Sequence, residues 1–221
     1  MRVRGPGRTT SICLVAAMTF SLTVATAMPS EAETAPGPPA NVIFAGGLGG
    51  ATVRWDAAST QGGPAITSYI VDRSGRDPRT LPATARQANF KGLRDGRDYS
   101  FYVRAVNADG VRGPKVSRTL HGTRLTLNAK ASVPLGRTVT LTGRLSRSAT
   151  GRGIVGGFLW LRIRADRSSP WTYVRQGGTV SKGHYEVKYK PVRTYQYQVR
   201  YAPRPGWNMG CRSPIRTVTV T

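Results

Sequence analysis

The sequence predicts an all-β protein, with two tandem β-sandwich domains behind a cleaved signal peptide. Three observations predict it. Apolar and polar residues alternate over many short stretches, the period of a half-buried strand. Gly (26) and Pro (15) fall between these stretches, where turns between strands need them. At 221 residues the chain has room for one or two domains of the usual size, about 100–150 residues.

Residues 1–27 read as an export signal. Arg2, Arg4 and Arg8 form a basic start, Ile12 to Val24 is an apolar run, and Ala25-Thr26-Ala27 satisfies the small-x-small cleavage rule. A retained anchor is the alternative, but the run falls short of the roughly 20 residues a bilayer span needs. Cys13 lies inside the apolar run rather than at its end, a poor place for lipid attachment. No second apolar span and no sorting tail follow, so the mature chain is expected to be secreted, extracellular and without a membrane span. Residues 28–37 are a Pro-rich linker, extended and little packed. Only Cys211 remains in the mature chain, so no intrachain disulfide can form. It is either a buried thiol or a bridge to another chain.

The first domain is expected over 38–122. Asn41 to Phe44 is its first strand. Gly46 to Gly50 is a turn, and the strand Ala51 to Asp56 behind it excludes a phosphate-cradling loop, which needs a helix there. Val53 and Trp55 point one way. In the next strand, Ile66 to Arg73, Tyr69 and Val71 face the core. Ala88 to Phe90 leads to a turn at Asp95-Gly96. The long alternation that follows puts Tyr99, Phe101, Val103, Ala105 and Asn107 on one face. Lys115 to Leu120 is the last strand. Leu93 stands six residues before Tyr99, the spacing of a tyrosine corner, in which the Tyr hydroxyl bonds back to upstream backbone. In Trp55, Tyr69, Leu93, Tyr99, Phe101, Val103 and Ala105, this stretch resembles a fibronectin type III domain. The resemblance implies a β-sandwich used for adhesion or spacing. The adhesive tripeptide Arg-Gly-Asp is missing: the final loop reads Ala108-Asp109-Gly110-Val111-Arg112-Gly113-Pro114.

His121 to Arg124 is a short joint, and the second domain is expected over 123–221. Thr138 to Leu145, Phe158 to Arg164, Trp171 to Arg175, His184 to Lys190, Gln196 to Tyr201 and Ile215 to Val220 make up most of about seven strands. Tyr185, Tyr189, Tyr197 and Tyr201 fall on the core parity. In Gly136-x-x-Val139-Thr140-Leu141-Thr142-Gly143, Gly183-x-Tyr185 and Tyr197-x-Val199-x-Tyr201, it is similar to the bacterial immunoglobulin-like domains of exported actinobacterial proteins.

Counting excludes most catalysis. Two histidines in different places, His121 and His184, do not build a zinc site with one thiol. No Gly-x-Ser-x-Gly elbow is present. A glycosidase needs two carboxylates across a cleft, and the second domain has only Asp166 and Glu186. Gly151-x-Gly153-x-x-Gly156 matches the dinucleotide pattern but leads into a strand, which leaves a hairpin loop. The chain is therefore read as no enzyme, with no cofactor and no metal.

Charge is the strongest signal. Residues 124–221 carry 18 Lys and Arg against 2 acids; 36–123 carry 12 against 6. Such a field concentrates polyanions. A GC-rich coding bias would explain why Arg outnumbers Lys 27 to 6, but not why acids are scarce in one half. In the strand Phe158 to Arg164, the alternation buries Leu159, Leu161 and Ile163. Phe158, Trp160, Arg162 and Arg164 share the other face and are the candidate ligand-binding residues. Aromatics beside Arg suit sugar stacking with anion pairing. The competing reading has Phe158 and Trp160 covered by the other domain or by the loop around Trp171 and Tyr173.

The expected function is a secreted, non-catalytic, monomeric protein binding an anionic cell-envelope or extracellular polysaccharide, or a teichoic-type polymer. Nucleic acid would bind only electrostatically. Two alternatives stand beside it: an accessory module of a polysaccharide-degrading, glycoside hydrolase system, and a ligand-free structural spacer.

Overall fold

The computed structural model describes residues 34–60 and 63–221, so the signal-peptide reading lies outside the described residues. The first seven strands are β1 (Ala40–Gly46), β2 (Gly50–Asp56), β3 (Ile66–Arg73), β4 (Arg79–Pro82), β5 (Gln87–Lys91), β6 (Tyr99–Asn107) and β7 (Val116–Leu120). They form a three-stranded sheet, β1-β2-β5, and a four-stranded sheet, β4-β3-β6-β7, all paired antiparallel. The alternating side chains meet between the sheets. Trp55, Tyr69, Phe90, Phe101 and Val103 are all but sealed from water, with Trp55 and Tyr69 tilted at a centroid distance of 5.5 Å. The corner has the expected geometry. Leu93 is buried, Tyr99 is half-buried, and its hydroxyl accepts the Arg94 N–H at 2.9 Å.

The second group is β8 (Thr123–Leu125), β9 (Ser132–Val133), β10 (Val139–Arg147), β11 (Phe158–Arg164), β12 (Thr172–Gly178), β13 (His184–Tyr189), β14 (Tyr195–Tyr201), β15 (Cys211–Arg212) and β16 (Arg216–Val220). A three-stranded sheet, β13-β10-β8, faces a six-stranded one whose path runs β12-β11-β14-β16-β9, with β15 paired to β14. β9 joins β16 in parallel. Leu125, Leu141, Leu145 and Val187 from one sheet pack with Leu159, Leu161, Tyr197, Val199 and Val218 from the other. Strands β3 and β11 have the bounds their alternation predicts; β4, β8, β9 and β15 are too short for alternation to mark.

The joint is tighter than its sequence suggests. The segment between β14 and β15 reaches across to the first sandwich and seats Met209 in that core, in one buried cluster with Phe44, Trp55 and Phe90. Backbone bonds hold it there: Gly206 N–H to Phe44 O (3.1 Å), Gly210 N–H to Gly47 O (3.1 Å), Met209 N–H to His121 O (2.8 Å) and His121 N–H to Trp207 O (2.7 Å). Two residues on, Cys211 is buried in the second core. The thiol is sealed inside the molecule, which excludes a bridge to another chain in this fold.

Candidate functional site

Strand β11 lies between β12 and β14, so its outward side chains sit mid-sheet with neighbours on both sides. Phe158, Trp160, Arg162 and Arg164 are all on that outer face, opposite the buried Leu159, Leu161 and Ile163. Trp160 keeps 38% exposure, so the segment around Trp171 and Tyr173 covers it only in part. Tyr173 of β12 and Trp171, the residue before that strand, extend the face. Tyr173, 46% exposed, meets Trp160 edge to face at 6.0 Å. Trp171 carries two guanidiniums, Arg162 at 4.4 Å and Arg164 at 4.5 Å from its ring centre. Arg204 stacks over Phe158 at 4.4 Å, and Arg200 over Tyr173 at 5.5 Å.

Three residue types give the face its chemistry. The aromatic rings offer flat apolar surface. The arginines offer fixed donor forks. Glutamines aim the forks: Arg162 donates through Nε (3.0 Å) and Nη2 to Gln198 Oε1, and Arg164 Nε donates to Gln196 Oε1 at 2.8 Å. Gln198 is itself buried and anchored, its Nε2 donating to Ser213 O at 2.9 Å. Ser213 in turn accepts the Val199 N–H at 2.9 Å. Each glutamine takes up some donors of its arginine and leaves others free.

Among the described residues, Arg162, Arg164, Arg200 and Arg212 make no ion pair. The nearby turn acid, Asp166, is committed to the hydroxyls and N–H groups of Ser168 and Ser169, at 2.6–3.0 Å, which hold its pKa down to about 2. Burial, then the charges of Arg200, Arg212 and Arg164, lower the Arg162 pKa to about 10. Burial and Arg212 lower that of Arg200. Both stay protonated at neutral pH, as cations whose neighbourhood disfavours their charge. The Arg200 Nε is also buried without an acceptor. An incoming anion would relieve all of this.

The sequence singled out four of these residues and not Arg200, Arg212, Gln196, Gln198, Trp171 or Tyr173. For Gln196, Gln198 and Arg200 a signal existed, since they take the parity opposite to Tyr197, Val199 and Tyr201. For Tyr173 none did. A bulge between Leu161 and Arg162 makes β12 skip Val174, so Tyr173 and Gln176 both face out although three residues apart. Arg212 comes alongside Arg200 only through the β15 pairing.

The sandwich, the corner and the core tryptophan define a fibronectin-type module at the front of the chain. The family model of the fibronectin type III domain matches residues 37–121, and this part of the chain is such a domain. Among solved structures, the chain is similar to the central fibronectin-III array of RIM-binding protein at 15% identity and a TM-score of 0.36, over 86% of this chain and 71% of that one. It is similar to the FN1–FN3 domains of chicken CNTN1 at 16% identity and a TM-score of 0.31, over 84% of this chain and 67% of that one. Likenesses this weak carry no information about a ligand. Among the described residues no helix is long and apolar enough to cross a membrane, and no three His, Cys, Asp or Glu side chains gather as a metal group would need.

Proposed function

We propose that this is a secreted, non-catalytic binding module for an anionic cell-envelope or extracellular polysaccharide, a teichoic-type polymer included. The ligand lies on the outer face of the six-stranded sheet. The second sandwich, immunoglobulin-like in its motifs, holds it, and the fibronectin type III domain presents it. Export is supported by the basic, apolar and small-residue pattern of residues 1–27.

One observation carries the reading: Arg162, Arg164, Arg200 and Arg212 share a sheet face with Trp160, Trp171 and Tyr173 and have no carboxylate partner among the described residues. A solvated charged surface would intersperse both signs, as β13 does with Lys188 and Glu186 at 3.2 Å. Flat rings beside oriented guanidiniums match a sugar ring beside its acid group.

The test is retention on immobilised acidic polysaccharide and on teichoic-type polymer, over a salt series. Affinity should fall steeply with salt. Arg162→Ala with Arg164→Ala should weaken it well beyond Arg124→Ala with Arg137→Ala, an equal loss of charge at exposed positions outside the face. Equal losses would mean diffuse charge and no site. Indifference to polymer and salt would leave the spacer reading, and sugar release from a glycan would restore the enzymatic one.

A further inference from the structure

At the end of the first sandwich, the β3–β4 turn and the β5–β6 connection enclose a depression of about 600 Å³, within the size range of small-ligand sites. Arg73, Arg76, Arg94 and Arg97 line it, with Asp98 and Tyr99. We propose that this depression is a second anion site, separate from the arginine face of the second sandwich, and that it takes a phosphate group.

Its cations are uncommitted. Among the described residues, none of the four guanidiniums donates a side-chain hydrogen bond, whereas Arg79, just outside, is held by Asp77 at 2.7 Å. The acids around them are occupied. Asp77 is tied to Arg79. Asp72 is buried and accepts the Asp77 N–H at 2.9 Å. Asp98 accepts the Gly122 N–H at 2.8 Å through one oxygen and faces His121 Nδ1 at 3.1 Å with the other, so it belongs to the joint between the sandwiches. Asp95, in the same connection, does not line the depression.

The walls are also fixed before any ligand arrives. Ser74 N–H donates to Ser100 O at 2.7 Å, and the Ser74 hydroxyl accepts the Ser100 N–H at 3.2 Å, pinning the turn that carries Arg73 and Arg76. The tyrosine corner pins the other wall, because the Tyr99 hydroxyl accepts the Arg94 N–H. Having accepted, that hydroxyl keeps its own proton to donate into the depression. Four forks and a hydroxyl lining one concave surface suit a compact tetrahedral oxyanion, whose oxygens take several donors at once. A flat carboxylate would leave most of them unmet.

Inorganic pyrophosphate titrated into the full-length protein, followed by calorimetry and by the rise in melting temperature that ligand binding imposes, tests this. A saturable site is expected. Arg76→Gln with Arg97→Gln, both exposed, should lower its affinity at least about tenfold, as loss of charge-assisted donors would. Arg162→Gln with Arg164→Gln should leave it unchanged, so failure here and failure of the sheet-face reading give different patterns. The proposal is overturned if Arg76→Gln/Arg97→Gln binds like the parent, or loses no more than the exposed pair Arg54→Gln/Arg112→Gln. It is also overturned if, in the Arg162→Gln/Arg164→Gln protein, tetragalacturonate binds as well as pyrophosphate. Binding of a glycerol-phosphate oligomer that Arg76→Gln/Arg97→Gln weakens and Arg162→Gln/Arg164→Gln does not, without co-sedimentation on phosphatidylglycerol vesicles, would assign the phosphate to a soluble or wall polymer; the converse would assign it to a lipid headgroup.

Discussion

Gln198 shows how much a single buried amide does on the sheet face. It accepts from Arg162 on one side and donates to the Ser213 carbonyl on the other, while almost no water reaches it. Gln198→Leu keeps the bulk and leaves every charge in place. It should cost about 1 kcal/mol of stability for the carbonyl left unpaired, seen as a lower urea midpoint. It should also weaken polymer retention several-fold, because Arg162 loses its aim. Unchanged retention would mean that charge alone matters and orientation does not. A second residue-scale expectation concerns alkali. Burial pushes the Cys211 thiol up to about 12 and raises Tyr185, Tyr197 and Tyr201 above their ordinary range. The native state then holds protons that the unfolded chain releases from about pH 9. Stability from these groups is full below that pH and falls as the pH rises toward their folded values. Arg162, lowered to about 10, acts in the opposite sense above that pH. The urea midpoint should therefore drop between pH 8 and pH 10, and Cys211→Ala should flatten the drop.

At the scale of the strand, the alternating stretches were legible and the interruptions were not. Tyr99 to Asn107 could be placed because each core position repeats at every second residue, and Phe158 to Arg164 for the same reason. The candidate face followed from that parity alone. Its other half did not, because the β12 bulge breaks the period and Arg212 reaches the face through a two-residue strand. Two glycine motifs of the second sandwich prove to be one feature. Gly143 on β10 stands opposite Tyr185 on β13, and the Tyr185 ring crosses the space a side chain would fill, its hydroxyl donating to Thr126 O. A Cβ at Gly143 would come within 2.6 Å of that hydroxyl and closer still to the Thr126 carbonyl, which is backbone and cannot swing away. Gly143→Ala should cost about 1–3 kcal/mol by overpacking. Thermal unfolding followed by circular dichroism would register it, and an unchanged midpoint would mean that β10 and β13 can separate without penalty.

For the molecule as a whole, Met209 decides how the two sandwiches behave. Domains joined by a short linker ordinarily move and unfold independently, and nothing in His121-Gly122-Thr123-Arg124 suggests otherwise. No local pattern can reveal that a residue about ninety positions later fills the first core, since periodicity reports only neighbours in sequence. Once the segment crosses, close approach is required on both sides. A Cβ on Gly46 would overlap the Asn208 carbonyl, and one on Gly122 would overlap the backbone at Gly96 and Arg97. The Thr123 hydroxyl donates to Met209 O at 2.8 Å, tying the start of β8 to the same segment. Met209 and Cys211 are thus anchors in different cores two residues apart, so one cannot loosen without disturbing the other. Unfolding should therefore be one transition, with Trp55 fluorescence from the first sandwich and Trp160 and Trp171 fluorescence from the second moving together. Met209→Ala should lower that single midpoint by the roughly 2–5 kcal/mol of a buried Met→Ala change, although the residue lies outside the sandwich it stabilises. Single-tryptophan versions separate the probes. If the Trp55 signal moves at a lower urea concentration than the others in the parent chain, the sandwiches are independent; if they separate only after Met209→Ala, the inserted side chain is what couples them.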